Sequence, residues 1–292
     1  MPPTDVDGER GSLLAVCYRL LGTVADAEDA VQETYVRWFR LSDEERAGIR
    51  NPAAWLTRVA GRVCLDMLGS ARARRERYVG EWLPEPVPAD APVAASVPVD
   101  PADRVALDDS VSLALLVVLE SLTPAERVAF VLHDVFGVPF GEIAATLGRS
   151  PAAVRQLAAH ARRRVQERRA GEASRAEHDA VARAFAAATE TGDLDALVSV
   201  LDPGVVLRSD GGGRVSAALR PVTGADRVAR FLLGLPRLEP DAVLRAVETP
   251  DGVGFLATLQ GRPSAQFTVR VQGGRITDVF VMRNPDKLTQ WS

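Results

Sequence analysis

The side chains best equipped for chemistry lie between Arg149 and Arg169, where seven arginines stand against one glutamate. Val154, Leu157, Ala158, Ala161 and Val165 recur at steps of three and four, so a helix would turn them inward and present Arg155, Gln156, Ala159, His160, Arg162 and Arg163 outward. A guanidinium bonds guanine bidentately, an amide does the same for adenine, and permanent cations neutralise phosphates. Arg155 and Gln156 are therefore placed to read base edges, and Arg162, Arg163, Arg164, Arg168 and Arg169 to hold phosphates. A solvated basic helix closing a bundle would have the same spacing. What precedes it favours the nucleic-acid reading. Thr123-Pro124-Ala125-Glu126 has the form of a capping box, a helix follows to about Phe136, a shorter one spans Phe140 to Leu147, and Gly148-Arg149-Ser150-Pro151 turns the chain into the basic helix.

Two further clusters stand upstream. Asp26, Asp29, Gln32 and Glu33 line one face of a helical pattern; an acidic first turn that merely complements the helix dipole is the plain alternative. Trp55, Arg58 and Arg62 fall on the helix expected after Pro52, where Trp55 can serve as a core anchor. Cys17 and Cys64 lie inside apolar helical patterns and read as buried thiols, with neither a disulfide nor a metal expected.

The elements that must position these groups follow from punctuation. Helical spacing from 10 to 40 breaks at Gly22-Thr23, giving two helices; a polar stretch from Leu41 to Arg50 leads to Pro52 and a third helix to about Arg77. A proline-rich, aperiodic segment then reads as an extended linker, with a second helical unit starting near Pro101. After Gly171 come helices at about 175–191 and 193–201, and then alternating apolar residues in which Phe267, Val269 and Val271 share a face, Gly273-Gly274 turn, and Ile276 to Met282 return. The 292 residues thus organise as 1–80, a linker 81–107, a helical unit 108–170 and an α+β unit 171–292. The net charge of -4 conceals the basic stripe, since residues 81 to 110 alone carry seven acidic groups and one basic. No apolar run approaches the length of a membrane span, and the N-terminus has neither the basic nor the apolar part of a signal peptide, so the cytoplasm is the expected compartment.

Leu122-Thr123-Pro124-Ala125-Glu126-Arg127, Glu142-Ile143-Ala144 and Pro151-Ala152-Ala153-Val154-Arg155-Gln156-Leu157 resemble domain 4 of the ECF (group IV) RNA polymerase sigma factors. Leu21-Gly22 and Ala25 to Glu33 resemble the polymerase-binding helix of their domain 2. Trp82-Leu83-Pro84-Glu85-Pro86, Asp210-Gly211-Gly212-Gly213 and Asn284-Pro285-Asp286-Lys287-Leu288 narrow the resemblance to sigma factors with a fused SnoaL-like domain, the SigJ-like group. The resemblance implies two all-α sigma domains, the second with a helix-turn-helix, and a C-terminal α+β SnoaL-like cone.

It further implies a protein that joins core RNA polymerase and directs promoter-specific initiation. Asp26, Asp29, Gln32 and Glu33 would meet polymerase, and Trp55, Arg58 and Arg62 the minus-10 element. Arg149, Ser150, Arg155, Gln156, Ala159, His160, Arg162 and Arg163 would meet the minus-35 element, and the three motifs would be regulatory. His160 stands where the family usually carries arginine, and a neutral imidazole holds phosphate less well.

SnoaL-like folds include enzymes, but here an acid/base pair is not visible. His178 is the one histidine of the third unit, and Asp210, in a glycine-rich turn, is expected to be exposed. No enzymatic activity, cofactor or metal is expected, and an unidentified small-molecule ligand of the C-terminal unit is left open, with Phe231, Phe255, Phe267 and Phe280 as its lining. Two alternatives stand: a ligand-responsive helix-turn-helix regulator independent of polymerase, which leaves the acidic helix face without a purpose, and a SnoaL-type enzyme carried on a DNA-binding module.

Overall fold

The computed structural model describes residues 6–75, 78–94 and 112–291. The chain divides into two compact units, one comprising Met1–Glu76, Asp90–Val111 and Leu115–Arg168, the other Arg77–Ala89, Ser112–Ala114 and Arg169–Ser292. The start of the second helical region near Pro101 falls outside the described residues.

The first unit is helical. α1 (Arg10–Leu21) ends at Gly22, whose positive φ of 82° supplies the left-handed stop, and Thr23 caps α2 (Val24–Phe39) by accepting from the Asp26 amide. A short α3 (Asp43–Gly48) occupies the stretch expected to be irregular; Ser42 and Glu45 form a reciprocal capping box there, a signal present in the sequence and overlooked. α4 (Pro52–Arg75) packs on α1, on α2 and on the later helices Pro124–Phe130 and Phe140–Leu147, and buries Leu56, Ala60, Val63, Cys64 and Leu68. Cys17 and Cys64 are buried free thiols, and burial together with the Cys17 thiol raises the Cys64 pKa.

α5 (Leu113–Glu120) leads to α6 (Pro124–Phe130), where the Thr123–Glu126 capping box forms as expected. The helix expected to reach Phe136 widens into a π-turn at Val131–Val135 before ending. α7 (Phe140–Leu147) stops at Gly148 (φ 62°), and α8 (Pro151–Arg169) buries Val154, Ala158, Ala161 and Val165, with Leu157 half-buried. Arg127 is enclosed in this unit, donating to the Leu20 carbonyl (2.9 Å) and to Glu120 (2.6 Å). Arg19 is buried as well, and desolvation lowers its pKa to about 10.

The second unit is α+β. α9 (Arg175–Thr191) and α10 (Leu194–Val200) precede β1 (Leu201–Asp210), β2 (Val222–Thr223) and α11 (Ala225–Leu238), followed by β3 (Val243–Thr249), β4 (Gly252–Leu259), β5 (Arg262–Gln272) and β6 (Arg275–Met282). The six strands run in the order β2-β1-β6-β5-β4-β3, with β1 and β6 parallel and the other pairs antiparallel. Phe185, Leu197, Leu207, Val228, Leu232, Val269, Val279 and Val281 belong to its core, where α9, α10 and α11 meet one face of the sheet. Two-residue alternation sends the neighbours Thr268, Asp278 and Phe280 to the opposite face.

Candidate functional site

The basic helix α8 is entered through a tight turn. Gly148 donates to Ala144, Arg149 donates to the same carbonyl at 3.0 Å, and the Ser150 hydroxyl accepts from the Ala153 amide at 3.2 Å. Arg149, Ser150, Arg155, Gln156, Ala159 and Arg163 are exposed, with the Arg155 guanidinium 5.2 Å from the centre of the Phe140 ring. His160 is exposed as well and Arg162 partly so, and both also have protein partners. His160 Nδ1 meets the Glu126 carboxylate, and Arg162 donates to Asp134 at 2.6 Å. Burial alone would raise the Glu126 pKa, but the Thr123 amide and hydroxyl and the His160 ring together hold it below the ordinary value. At Asp134 burial wins over Arg162 and the pKa is raised.

On α2 the residues Ala27, Ala30, Val31 and Thr34 face inward, which leaves Asp29 and Gln32 exposed on the other side. Asp26 is half-buried and accepts from the Thr23 hydroxyl at 2.7 Å, and Glu33 pairs with Arg37 at 2.9 Å, so each also stabilises its own helix. On α4, Trp55 packs edge-on against Trp38 with ring centres 5.2 Å apart. Arg58 lies 3.6 Å from Glu142 and Arg62 donates to the Thr146 carbonyl at 3.0 Å, so both reach α7.

The second unit gathers the Trp82–Pro86, Asp210–Gly213 and Asn284–Leu288 motifs around one buried ion pair. Asp210, expected to be exposed, is fully buried at the end of β1; a glycine-rich turn usually marks surface, but here the turn folds the chain over the carboxylate. Lys287, the only lysine of the chain, lies 2.8 Å from Asp210 Oδ2 and also donates to the Leu83 carbonyl at 2.6 Å. Its ammonium sits 4.1 Å from the Trp82 ring centre and 5.1 Å from that of Tyr78. Asp210 further accepts from the Leu83 amide (2.9 Å), the Tyr78 hydroxyl (2.6 Å) and the Gly212 amide (3.0 Å), while the Asn284 amide group donates to Tyr78. Burial and the neighbouring carboxylate push the Tyr78 pKa up, so the phenol keeps its proton as a donor.

Close packing explains the glycines. Gly212 adopts φ 62°, and a Cβ there would lie 2.5 Å from Asn284; one on Gly211 would lie 2.5 Å from the Val215 carbonyl oxygen. Leu83, Pro84, Glu85, Pro86 and Leu288 are buried, and the Trp291 indole donates to the Pro86 carbonyl at 2.8 Å. Of these motifs Gly213, Pro285 and Asp286 are exposed, with Asp286 3.0 Å from Arg214. Tyr78 and Trp291 were missed because single aromatics in aperiodic stretches carry no spacing signal.

Phe255 and Phe267 line a cavity in this unit, as expected. Phe231 instead packs beside the core without lining it, and Phe280 is on the opposite face because its strand position has the other parity. His178 is buried, its Nε2 3.0 Å from the Val269 carbonyl and its Nδ1 3.1 Å from Asp179, away from the cavity wall. Among the described residues no group of three His, Cys, Asp or Glu side chains could hold a metal, and no helix is long and apolar enough to cross a membrane.

Residues 6–74 match Sigma-70 region 2 and residues 112–165 match Sigma-70, region 4. The chain is 41% identical over 302 residues to the ECF RNA polymerase sigma factor SigJ of Mycobacterium tuberculosis, covering 99% of this chain and 94% of that protein. It is also 41% identical over 288 residues to the probable ECF sigma factor SigI of the same species, covering 96% and 92%. The crystal structure of the Mycobacterium tuberculosis extracytoplasmic function sigma factor SigJ superposes with a TM-score of 0.75 at 38% identity, covering 98% of each chain. With both sigma regions matched and relatives aligned almost end to end, the chain belongs to the ECF RNA polymerase sigma factors.

Proposed function

We propose that this sigma factor meets core RNA polymerase through the α2 face bearing Asp26, Asp29, Gln32 and Glu33, and the minus-35 element through α8. The α+β unit then acts as a built-in regulator rather than an enzyme. On this reading residues 1–80 carry the polymerase and minus-10 contacts, 108–170 the minus-35 contacts and 171–292 the regulatory function. Segment 78–89 is the regulator's handle on the rest. The observation that carries the regulatory part is the Asp210–Lys287 pair, which binds both the amide and the carbonyl of Leu83. Segment 78–89 lies on the chain joining Sigma-70 region 2 to region 4, so holding or releasing it changes the length of free tether between the two promoter-binding regions. A regulatory rather than catalytic role is supported by the cavity wall, whose acidic and basic groups, Glu239 and Arg283, are paired with each other.

Co-purification with core polymerase and run-off transcription test this reading together. Full-length protein should capture the core enzyme and yield promoter-specific transcript, and Trp82→Ala should change transcript yield while leaving capture intact. Failure to capture core polymerase would refute the polymerase contact on α2, and unaltered yield from a folded Trp82→Ala variant would refute the regulatory role.

A further inference from the structure

The wall of the second unit's cavity is built largely from Phe185, Leu232, Leu235, Phe255 and Phe267, around a volume of about 130 Å³. Its polar groups are already engaged. The Thr189 hydroxyl donates to the Phe185 carbonyl at 2.8 Å, and Arg283 donates to the Glu239 carboxylate and, at 2.7 Å, to the Ser216 carbonyl. The site therefore offers apolar surface and a balanced charge pair.

We propose that this cavity binds an uncharged molecule of the size of one aromatic ring, and that its occupancy is transmitted to the Asp210–Lys287 cluster. Size sets the first half: an apolar cavity of roughly 150 Å³ lined by aliphatic and aromatic side chains takes up benzene. Charge sets the ligand's polarity. A carboxylate would have to face Glu239 or strip it from Arg283, leaving a half-buried acid without its cation, whereas a neutral molecule leaves the pair intact. The second half rests on Arg283, whose side chain lines the cavity while its backbone amide donates to the Asp210 carbonyl at 2.7 Å, beside the Asn284 amide at 2.9 Å. Anything that stiffens Arg283 acts on the residue that holds Leu83. This half rests on the regulatory reading of that cluster.

Toluene, phenol and benzoate titrated into the full-length protein, followed by saturation-transfer NMR, test the site. Hydrogen exchange of segment 78–89 tests the transmission. Toluene and phenol should bind, benzoate at least about tenfold more weakly, a difference of about 1.4 kcal/mol. Ala186→Phe and Ala242→Phe, which fill the cavity from two half-buried positions in its wall, should each abolish binding. Exchange of the segment should slow when toluene saturates the protein. Absence of binding by both neutral probes, tighter binding of benzoate, or undiminished binding in both folded variants would overturn the site. Binding without a change in exchange would overturn the transmission. Because none of these readouts involves transcription, they fail or succeed separately from the regulatory reading, which Trp82→Ala tests alone.

Discussion

Lys287 and Asp210 form an ion pair 2.8 Å long between side chains that are 8% and 0% exposed, and the lysine is the only one in the chain. Two charges removed from water are tolerable only because each has further partners: the Leu83 carbonyl and two rings for the ammonium, the Leu83 and Gly212 amides and the Tyr78 hydroxyl for the carboxylate. Lys287→Met should therefore cost about 3–5 kcal/mol, because it leaves the Asp210 charge buried and unpaired. The double variant Lys287→Met with Asp210→Asn should recover a large part of that loss. Urea unfolding of the three proteins measures this, and a single variant as stable as the parent would rule it out.

Asp251 gives the second unit a pH dependence. It accepts from the amides of Leu113 (2.7 Å) and Ala114 (3.2 Å), yet burial outweighs these bonds and raises its pKa to about 6. An aspartate in the unfolded chain titrates near ~3.9. A folded pKa above the unfolded one means that the proton favours the fold. That contribution is complete below about pH 4 and is lost as the pH rises through about 6, a change on the order of 3 kcal/mol. Relative to Asp251→Asn, the parent should therefore be more stable at pH 4 than at pH 7. Parallel stability profiles of the two proteins across this range would contradict it.

Charge reversal on α2 is cleanest at Asp29, which is exposed, whereas Asp26 is tied to the capping Thr23. On the proposed polymerase contact, in which the acidic face of α2 meets cations of the partner, Asp29→Arg should weaken capture of core RNA polymerase with the melting temperature unchanged. Full capture by this variant would remove α2 from the polymerase contact.

These expectations also separate what is local in the sequence from what is not. The helix stops at Gly22 and Gly148 and the capping box at Thr123 and Glu126 were legible because each is settled within a few residues. The burial of Asp210 was not, since its cationic partner lies 77 residues away and nothing near the glycines announces it. Phe280 was misplaced for a related reason: one position along β6 decides which face a ring occupies, and composition does not carry that parity. The motifs themselves were visible as resemblances. Their convergence on one ion pair required the fold.

The partners of α8 divide its outward residues into two classes that mutation can tell apart. His160 and Arg162 are held by Glu126 on α6 and Asp134 in the turn that follows, so in this arrangement they fix the angle at which α8 is presented. Arg155, Gln156 and Arg163 are exposed and have no such acidic partner among the described contacts, and Arg155 rests on Phe140, which limits its freedom without neutralising it. A side chain that reads a base discriminates by about 1–3 kcal/mol, whereas one that positions the helix changes stability and affects all sequences alike. Arg155→Ala and Gln156→Ala should therefore relax discrimination at individual positions of the minus-35 element while the protein melts as before. Arg162→Ala, which leaves the half-buried Asp134 without its cation, should lower the melting temperature and weaken binding to matched and mismatched elements by similar factors. Measuring affinity for a panel of singly substituted minus-35 duplexes, alongside melting curves, distinguishes the two. If Arg162→Ala altered preference at one base position with its stability intact, Arg162 would be a reading residue and the division drawn from its pairing with Asp134 would be wrong.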